Sequence, residues 1–478
     1  MLATIFLNPN REGIIFSTLT LIPTLTMNNT YYISKYNFYI VEDNQYYIYN
    51  TISGCIVKLS HRLYSYIEGN DDRQMINANG MSNKLISMLL CNHIIYSQEH
   101  EESAYLEYQQ KRDMHDDSFL SMVMLPTLKC NLRCHYCYEK DKNISLSEDA
   151  LNTLKLFFDN QSKHRKYIAI RWSGGEILTY WSQIKELSKS IIESCQKNKC
   201  VYISSAISNG SLLTSAIVDE MVECNIKSLQ ITLDGDEVHH NRVRYYKDGK
   251  GTFKQILNSI AIASQRLKVI VRINLDKHNY PSIENLFKTL SSTNINRSNI
   301  QIFCKPVLCT AVRTPINDIF TPEEFYNVEL ALLQLSQKYE LPYSFHWGIK
   351  GHHTRCAYSG IQGFYVTPNM KLYKCPVYLD QGAEQDNSVG YIDKNGEMII
   401  YNYSELLKSL SYSPFDNEEC IKCKVLPICH GKCPIFWENS ERSNDAGCIP
   451  EKYSIVEKVK YAIRSKLQMN AYNNSGII

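Results

Sequence analysis

The chain has 478 residues, 44% of them hydrophobic and 21% charged, with a formal net charge of +2 at neutral pH. That is globular composition, long enough for two to four domains with cores of their own, and it excludes bulk charge as a means of holding nucleic acid or an anionic membrane. No apolar run reaches the roughly 18–20 residues of a membrane span, and seventeen cysteines in this length fall short of disulfide-scaffold density.

Residues 1–26 open with MLATIFLNPNREGIIFSTLTLIPTL, a mildly apolar stretch broken by Asn, Arg, Glu and Pro. It has no clear small-residue cleavage site, so it is expected to be a disordered tail or an over-extended gene start rather than a signal peptide, on a cytoplasmic protein. Residues 27–100 begin with Tyr-, Ile- and Val-rich segments that alternate with polar residues and are punctuated at EDNQ. Two or three antiparallel strands are expected there, then helices over 61–69 and 81–90 and a short strand at 93–97. Residues 101–120 are charged and apolar-poor, as a linking helix would be.

Between 121 and 345 strand and helix patterns alternate. Strands are expected at 122–128, 167–173, 201–208, 228–235, 268–276 and 300–307, as continuous apolar runs that suit strands covered on both faces. Six strands, each followed by a crossover helix, imply an α/β fold with a parallel sheet, a partial (β/α)6 TIM-type barrel. Over 346–450 the rhythm stops and Cys, Gly and Pro dominate. This segment is expected to have little core of its own and to need bound metal to fold. An amphipathic helix and a frayed tail close the chain over 451–478.

The cysteines are unevenly placed. Three lie in CNLRCHYCY at 130–138 and seven between 356 and 448, while Cys55, Cys91, Cys195, Cys200, Cys224, Cys304 and Cys309 stand alone and suit small buried apolar positions. Short fixed spacings point to metal or iron–sulfur ligation in a reducing compartment. A closed zinc site takes four ligands. Three thiolates at the end of the first strand would leave one iron of a cubane open. By itself C-x3-C-x2-C is also half of a zinc site.

The spacing Cys130-x3-Cys134-x2-Cys137, with Tyr136 before the last Cys, resembles the signature of the radical S-adenosylmethionine (SAM) superfamily. WSGGEIL at 172–178, ISNGSLL at 207–213 and ITLDGDEVHHNRVR at 231–244 follow the next three strands and resemble that family's further motifs. The resemblance implies a 4Fe-4S cluster on Cys130, Cys134 and Cys137 whose open iron chelates SAM and, once reduced, cleaves it to a 5′-deoxyadenosyl radical. It implies that Gly174 and Gly175 let backbone approach the ligand and that Glu176 accepts the SAM ammonium. Tyr136, Ser208, Asn209, Thr232, Asp234 and Arg244 carry over as SAM-site or substrate-site residues. The catalytic base is unknown.

The second group, Cys356, Cys375, Cys420, Cys423, Cys429, Cys433 and Cys448, resembles the SPASM extension of radical SAM enzymes that modify peptides. That implies two auxiliary 4Fe-4S clusters, an outer one on Cys420, Cys423, Cys429 and Cys448 and an inner one on Cys356, Cys375 and Cys433. The inner cluster would keep an iron for a substrate thiolate or another ligand. One departure is Met370, where the family has glycine. Zinc ribbons are the competing reading of these spacings.

The N-terminal strands and helices are similar to the winged-helix-like modules of peptide maturases, which bind a leader segment by strand addition. A structural cap on the barrel is the plainer alternative. The implied function is hydrogen abstraction from a ribosomally made precursor peptide with a leader, installing a crosslink such as a thioether, with electrons from a flavodoxin or ferredoxin. The alternatives are an anaerobic sulfatase-maturating enzyme, which starts closer to its cysteine triplet, and a non-catalytic iron–sulfur peptide binder. No nucleic acid or membrane partner is expected.

Overall fold

The computed structural model describes residues 4–6, 30–71, 74–97, 102–137, 143–307, 318–344, 358–380, 386–431, 448–449 and 451–474. It divides into two compact units, one of Met1–Lys111, Trp347–His353 and Ser413–Ile478, the other of Arg112–His346 and Thr354–Tyr412.

In the first unit β1 is Thr4–Phe6, β2 Thr30–Ile33, β3 Asn37–Glu42, β4 Gln45–Asn50 and β5 Cys55–Leu59. The turn between β3 and β4 has both central residues left-handed, Asp43 at φ 49° and Asn44 at φ 56°. Such a turn matches the twist of a two-residue hairpin, and Asp and Asn tolerate it. β1 pairs antiparallel with β5, so three residues of the segment expected to be a disordered tail are a strand; Met1–Ala3 and residues 7–29 lie outside the described residues. Helix α1 (His61–Glu68) is capped by the Ser60 hydroxyl on Leu63 N–H, and α2 (Asn83–Cys91) by the Ser82 hydroxyl on Leu85 N–H. β6 (Met75–Asn77) and β7 (Ile95–Tyr96) flank β2. Helix α3 (Glu102–Met114) stands where the linking helix is expected.

The second unit carries the parallel strands β8 (Phe119–Met124), β9 (Tyr167–Trp172), β10 (Val201–Ser208), β11 (Ile226–Thr232), β12 (Lys268–Leu275) and β13 (Ile300–Pro306). Six helices alternate with them: α4 (Glu148–His164), α5 (Trp181–Asn198), α6 (Ser215–Glu223), α7 (Glu237–Val243) with α8 (Phe253–Ser264), and α9 (Ile283–Ser292). α10 (Pro322–Lys338) follows β13 and starts with a capping box between Thr321 and Glu324. The first strand ends at Met124, short of the expected 128, because Pro126 has no N–H for the ladder. The next residues pair with 144–146 instead, through Leu128 N–H to Ile144 O at 2.8 Å and Leu146 N–H to Pro126 O at 2.9 Å.

The segment after 346 departs from expectation. β14 (Gly363–Val366) adds parallel to β8, and β15 (Lys371–Tyr373), β16 (Gly390–Ile392) and β17 (Met398–Ile400) continue antiparallel. They extend the sheet to ten strands in the order β13-β12-β11-β10-β9-β8-β14-β15-β16-β17. Phe364, Val366, Leu372, Val389 and Ile392 are buried, so residues 358–412 do have an apolar core. Helix α11 (Tyr403–Ser411) closes this unit.

α12 (Glu418–Lys422), α13 (Leu426–Cys429) and α14 (Glu451–Asn474) belong to the first unit. Ile40, Tyr47, Tyr49 and Ile56 of β3–β5 share one core with Val425, Ile428, Ile449, Ile455 and Val459. The structure therefore groups the chain differently from the expected boundaries. Residues 413–431 fold with the N-terminal strands, and residues 358–412 with the barrel. Among the described residues no helix is long and apolar enough to cross a membrane.

Candidate cofactor site

Parallel strands end on one side of the sheet, and the loops after β8 to β12 meet there. The loop after β8 carries Cys130, Cys134 and Cys137. Its backbone pairs with the segment after α7: Arg133 N–H donates to Tyr245 O at 2.8 Å, His135 N–H to Val243 O at 3.0 Å, and Leu132 bridges Tyr246 antiparallel. Burial pushes the Cys130 thiol up to about 11 and raises Cys134 as well, while the Arg244 cation pulls both down. Buried thiolates of this kind need positive charge, which a bound metal supplies. Among the described residues no three His, Cys, Asp or Glu side chains close on a single metal ion.

Gly174 and Gly175 follow β9 and lie close to the backbone of the cysteine loop. A Cβ on Gly174 would stand 2.4 Å from Thr127 O, and one on Gly175 2.3 Å from Lys129 O. The glycines let this turn lie against the backbone that leads into Cys130. Gly175 N–H then donates to Thr127 O at 3.0 Å and Glu176 N–H to Lys129 O at 2.8 Å. Gly174, at φ 120°, is also in a conformation that L side chains rarely adopt.

Glu176 is buried. Its carboxylate accepts from Leu178 N–H at 3.0 Å, Ser208 hydroxyl at 2.8 Å and Asn209 N–H at 2.6 Å. Burial raises its pKa, and these three donors oppose the shift. About four acceptor positions exist on a carboxylate, so roughly one is left for a cofactor ammonium. Asn209 points its amide at the cysteine loop, 2.9 Å from Asn131 Oδ1 and 3.8 Å from Cys130 Sγ. Ser211 completes this knot with hydrogen bonds to Asn131 and Asn209.

The loop after β11 adds a second knot. The Tyr136 hydroxyl donates to Asp234 and accepts from Arg244 Nη1 at 2.7 Å and Asn274 Nδ2 at 3.3 Å. Asn274 N–H also donates to Asp234 Oδ1 at 2.7 Å, and Arg244 stands 3.8 Å from the same carboxylate. Burial raises Asp234, against the pull of Arg244. Asp234 and Arg244 thus hold the cysteine loop through Tyr136. Thr232 is a buried strand end beside them. Asn131, Ser211 and Asn274 were not singled out from sequence, whereas His240 opens the H-x3-R spacing that ends at Arg244, inside the motif read at 231–244.

In the first unit, Cys420, Cys423, Cys429 and Cys448 line one pocket with Val425, Leu426, Ile449 and Lys452. Four thiols around one cavity, with a lysine at its wall, fit the ligand set of an anionic cluster. The pocket is tied to the N-terminal strands: Thr51 hydroxyl donates to Lys424 O at 2.7 Å and Lys424 Nζ to Asn37 O at 3.2 Å. Cys375 lies just after β15, partly buried. Cys356 and Cys433 lie outside the described residues.

Residues 124–290 match the family described as the Radical SAM superfamily. The chain is 22% identical over 462 residues to the radical SAM cyclopropyl synthase TigE of Paramaledivibacter caminithermalis, covering 84% of this chain and 89% of that protein. It is 27% identical to the serine-type anaerobic sulfatase-maturating enzyme of Bacteroides thetaiotaomicron, over 27% of this chain and 33% of that one. The fold is similar to native anSMEcpe with bound AdoMet and the Cp18Cys peptide, at a TM-score of 0.54 and 18% identity, covering 74% of this chain and 99% of that one.

Proposed function

We propose, for a chain that carries a radical SAM domain and is a radical SAM enzyme, that its substrate is a ribosomally made peptide in which it forms a crosslink such as a thioether. The observation that carries this reading is the pair of hydrogen-bonded knots that join the cysteine triplet to the ends of β9, β10, β11 and β12. The likeness in sequence to a cyclopropyl synthase over most of both chains supports a substrate outside the sulfatases. When bound, a 4Fe-4S cluster and SAM would supply reductive cleavage of SAM and abstraction of a substrate hydrogen.

Cys130, Cys134 and Cys137 would hold three irons and leave the fourth for SAM. The remaining acceptor position of Glu176 would take the SAM ammonium, and Asn209 would orient the loop around Cys130. Arg244, neutralised in part by Asp234, would offset the negative charge of the cluster. Cys420, Cys423, Cys429 and Cys448 would hold an auxiliary cluster, and Cys375 would be one ligand of a second. The module of β2–β7 would take the leader of the precursor peptide by strand addition, and a flavodoxin or ferredoxin would deliver electrons.

The test is anaerobic reconstitution followed by iron and sulfide analysis and incubation with SAM and dithionite. About twelve irons per chain, for three four-iron clusters, and 5′-deoxyadenosine are expected. Zinc in place of iron, with no 5′-deoxyadenosine, would overturn the reading.

A further inference from the structure

His240 is fully buried in α7, and both of its ring nitrogens are engaged. Its Nδ1 faces the N–H of Asp234 at 3.1 Å. A backbone amide can only donate, so Nδ1 carries no proton, and the proton sits on Nε2. Nε2 lies 3.0 Å from the Thr252 hydroxyl and donates to it. That hydroxyl in turn donates to Arg244 O at 2.9 Å. Every hydrogen in the relay has one possible direction.

The two ends of the relay are the backbones of Asp234 and Arg244, whose side chains meet on the Tyr136 hydroxyl. On either side of Arg244, Val243 O and Tyr245 O receive the N–H groups of His135 and Arg133. Asn241 reinforces the same turn by accepting from Thr252 N–H at 2.8 Å and Phe253 N–H at 2.9 Å. The segment 240–246 is therefore a brace along the cysteine loop, and its far end is pinned at His240.

We propose that His240 is a positioning residue for the cysteine triplet: through Asp234 and through Thr252 it fixes the brace that sets the spacing of Cys130, Cys134 and Cys137. The inference rests on the triplet being the cofactor site. His240→Phe fills the space without hydrogen bonds. His240→Asn keeps an acceptor for Asp234 N–H. Thr252→Val cuts only the link to Arg244. The first readout is amide hydrogen exchange in the chain before iron is added, followed on a peptide spanning 129–137.

His240→Phe is expected to speed exchange there at least ten-fold, Thr252→Val by less, and His240→Asn is expected to restore part of the protection, with β13 unchanged. After reconstitution, the electron paramagnetic resonance spectrum of the reduced triplet cluster in His240→Phe should lose its shift on adding SAM. Unchanged exchange in folded His240→Phe and Thr252→Val proteins would overturn the proposal. If His240→Phe does not fold, Thr252→Val alone decides. Failure of the parent chain to take up iron would instead overturn the cofactor reading and leave the exchange result standing.

Discussion

The cysteine triplet and the four-cysteine pocket are built from opposite materials. Around the triplet, polar groups meet in a set of three and a set of four: Glu176 with Ser208 and Asn209, and Tyr136 with Asp234, Arg244 and Asn274. Around Cys420, Cys423, Cys429 and Cys448 the walls include Val425 and Ile449, which share one core with Ile428, Tyr47, Tyr49 and Ile56. Hydrogen-bond networks are directional and fail when one atom is changed. Apolar packing degrades with the volume removed. A centre that had to orient a ligand would suit the first construction, and one that only had to hold a cluster would suit the second.

The largest separation between them should come from Cys134→Ala. Formation of 5′-deoxyadenosine should fall below detection and about four irons should be lost per chain, while the pocket of the first unit keeps its own. Loss of iron from both centres would show that they are not independent.

Ile428→Ala tests the apolar side. Ile428 is fully buried between Cys423 and Cys429, and truncation of such a side chain costs about 2–5 kcal/mol. Because its core is shared with β3–β5, calorimetry should show the N-terminal strands melting earlier together with the pocket. Removal of residues 27–100 would expose the same core, so a deletion cannot separate peptide recognition from the four-cysteine pocket. Point changes on the exposed face of the strands can.

On the polar side, Tyr136→Phe removes one oxygen shared by three partners, of which Asp234 and Arg244 are buried. The expected cost is about 1–3 kcal/mol, read by thermal melting, with weaker SAM binding and unaltered iron content in the first unit. The same side should respond to acid. Burial, together with the Arg244 charge, depresses the pKa of His240 well below its ordinary value, so the native state keeps it neutral. As the pH falls below about 6.5 the unfolded chain takes up a proton that the folded chain refuses. Stability should then drop by up to about 1.4 kcal/mol per pH unit from this group. In His240→Phe that component of the slope, measured by denaturation between pH 7 and 5, should vanish.

Legibility in sequence followed the same division. The six parallel strands were visible because strands covered on both faces are apolar runs. The addition of β14 to β8 was not, since GFYV is four residues long and its partner lies about 240 residues away in the chain. Nor was the union of Tyr49 with Ile455, which no local pattern announces. Cysteine spacing marked both groups of cysteines, but the residues that hold the triplet loop act through backbone atoms and common side chains such as Asn131, Ser211 and Asn274. Gly174 and Gly175 were marked from their motif alone, and the backbone contacts they make with Thr127 and Lys129 were not visible in it.

Cys375 offers a third construction, a cysteine placed by a turn. Met370 stands in the turn between β14 and β15 at φ 65°, the left-handed region that costs a side-chain-bearing residue roughly 1–2 kcal/mol. Thr367 O accepts its N–H at 2.9 Å and its own carbonyl accepts Ile392 N–H at 3.0 Å, which keeps the conformation in place. Met370→Gly relieves the strain but lets the unfolded chain sample more conformations, which offsets roughly 0.5–1 kcal/mol. The balance is a stabilisation of about 0.5–1 kcal/mol, seen as a small rise in the melting transition of the barrel unit. If the variant melts lower, the methionine side chain is contributing packing that outweighs its backbone strain, and Cys375 is placed by side-chain contacts as the four-cysteine pocket is.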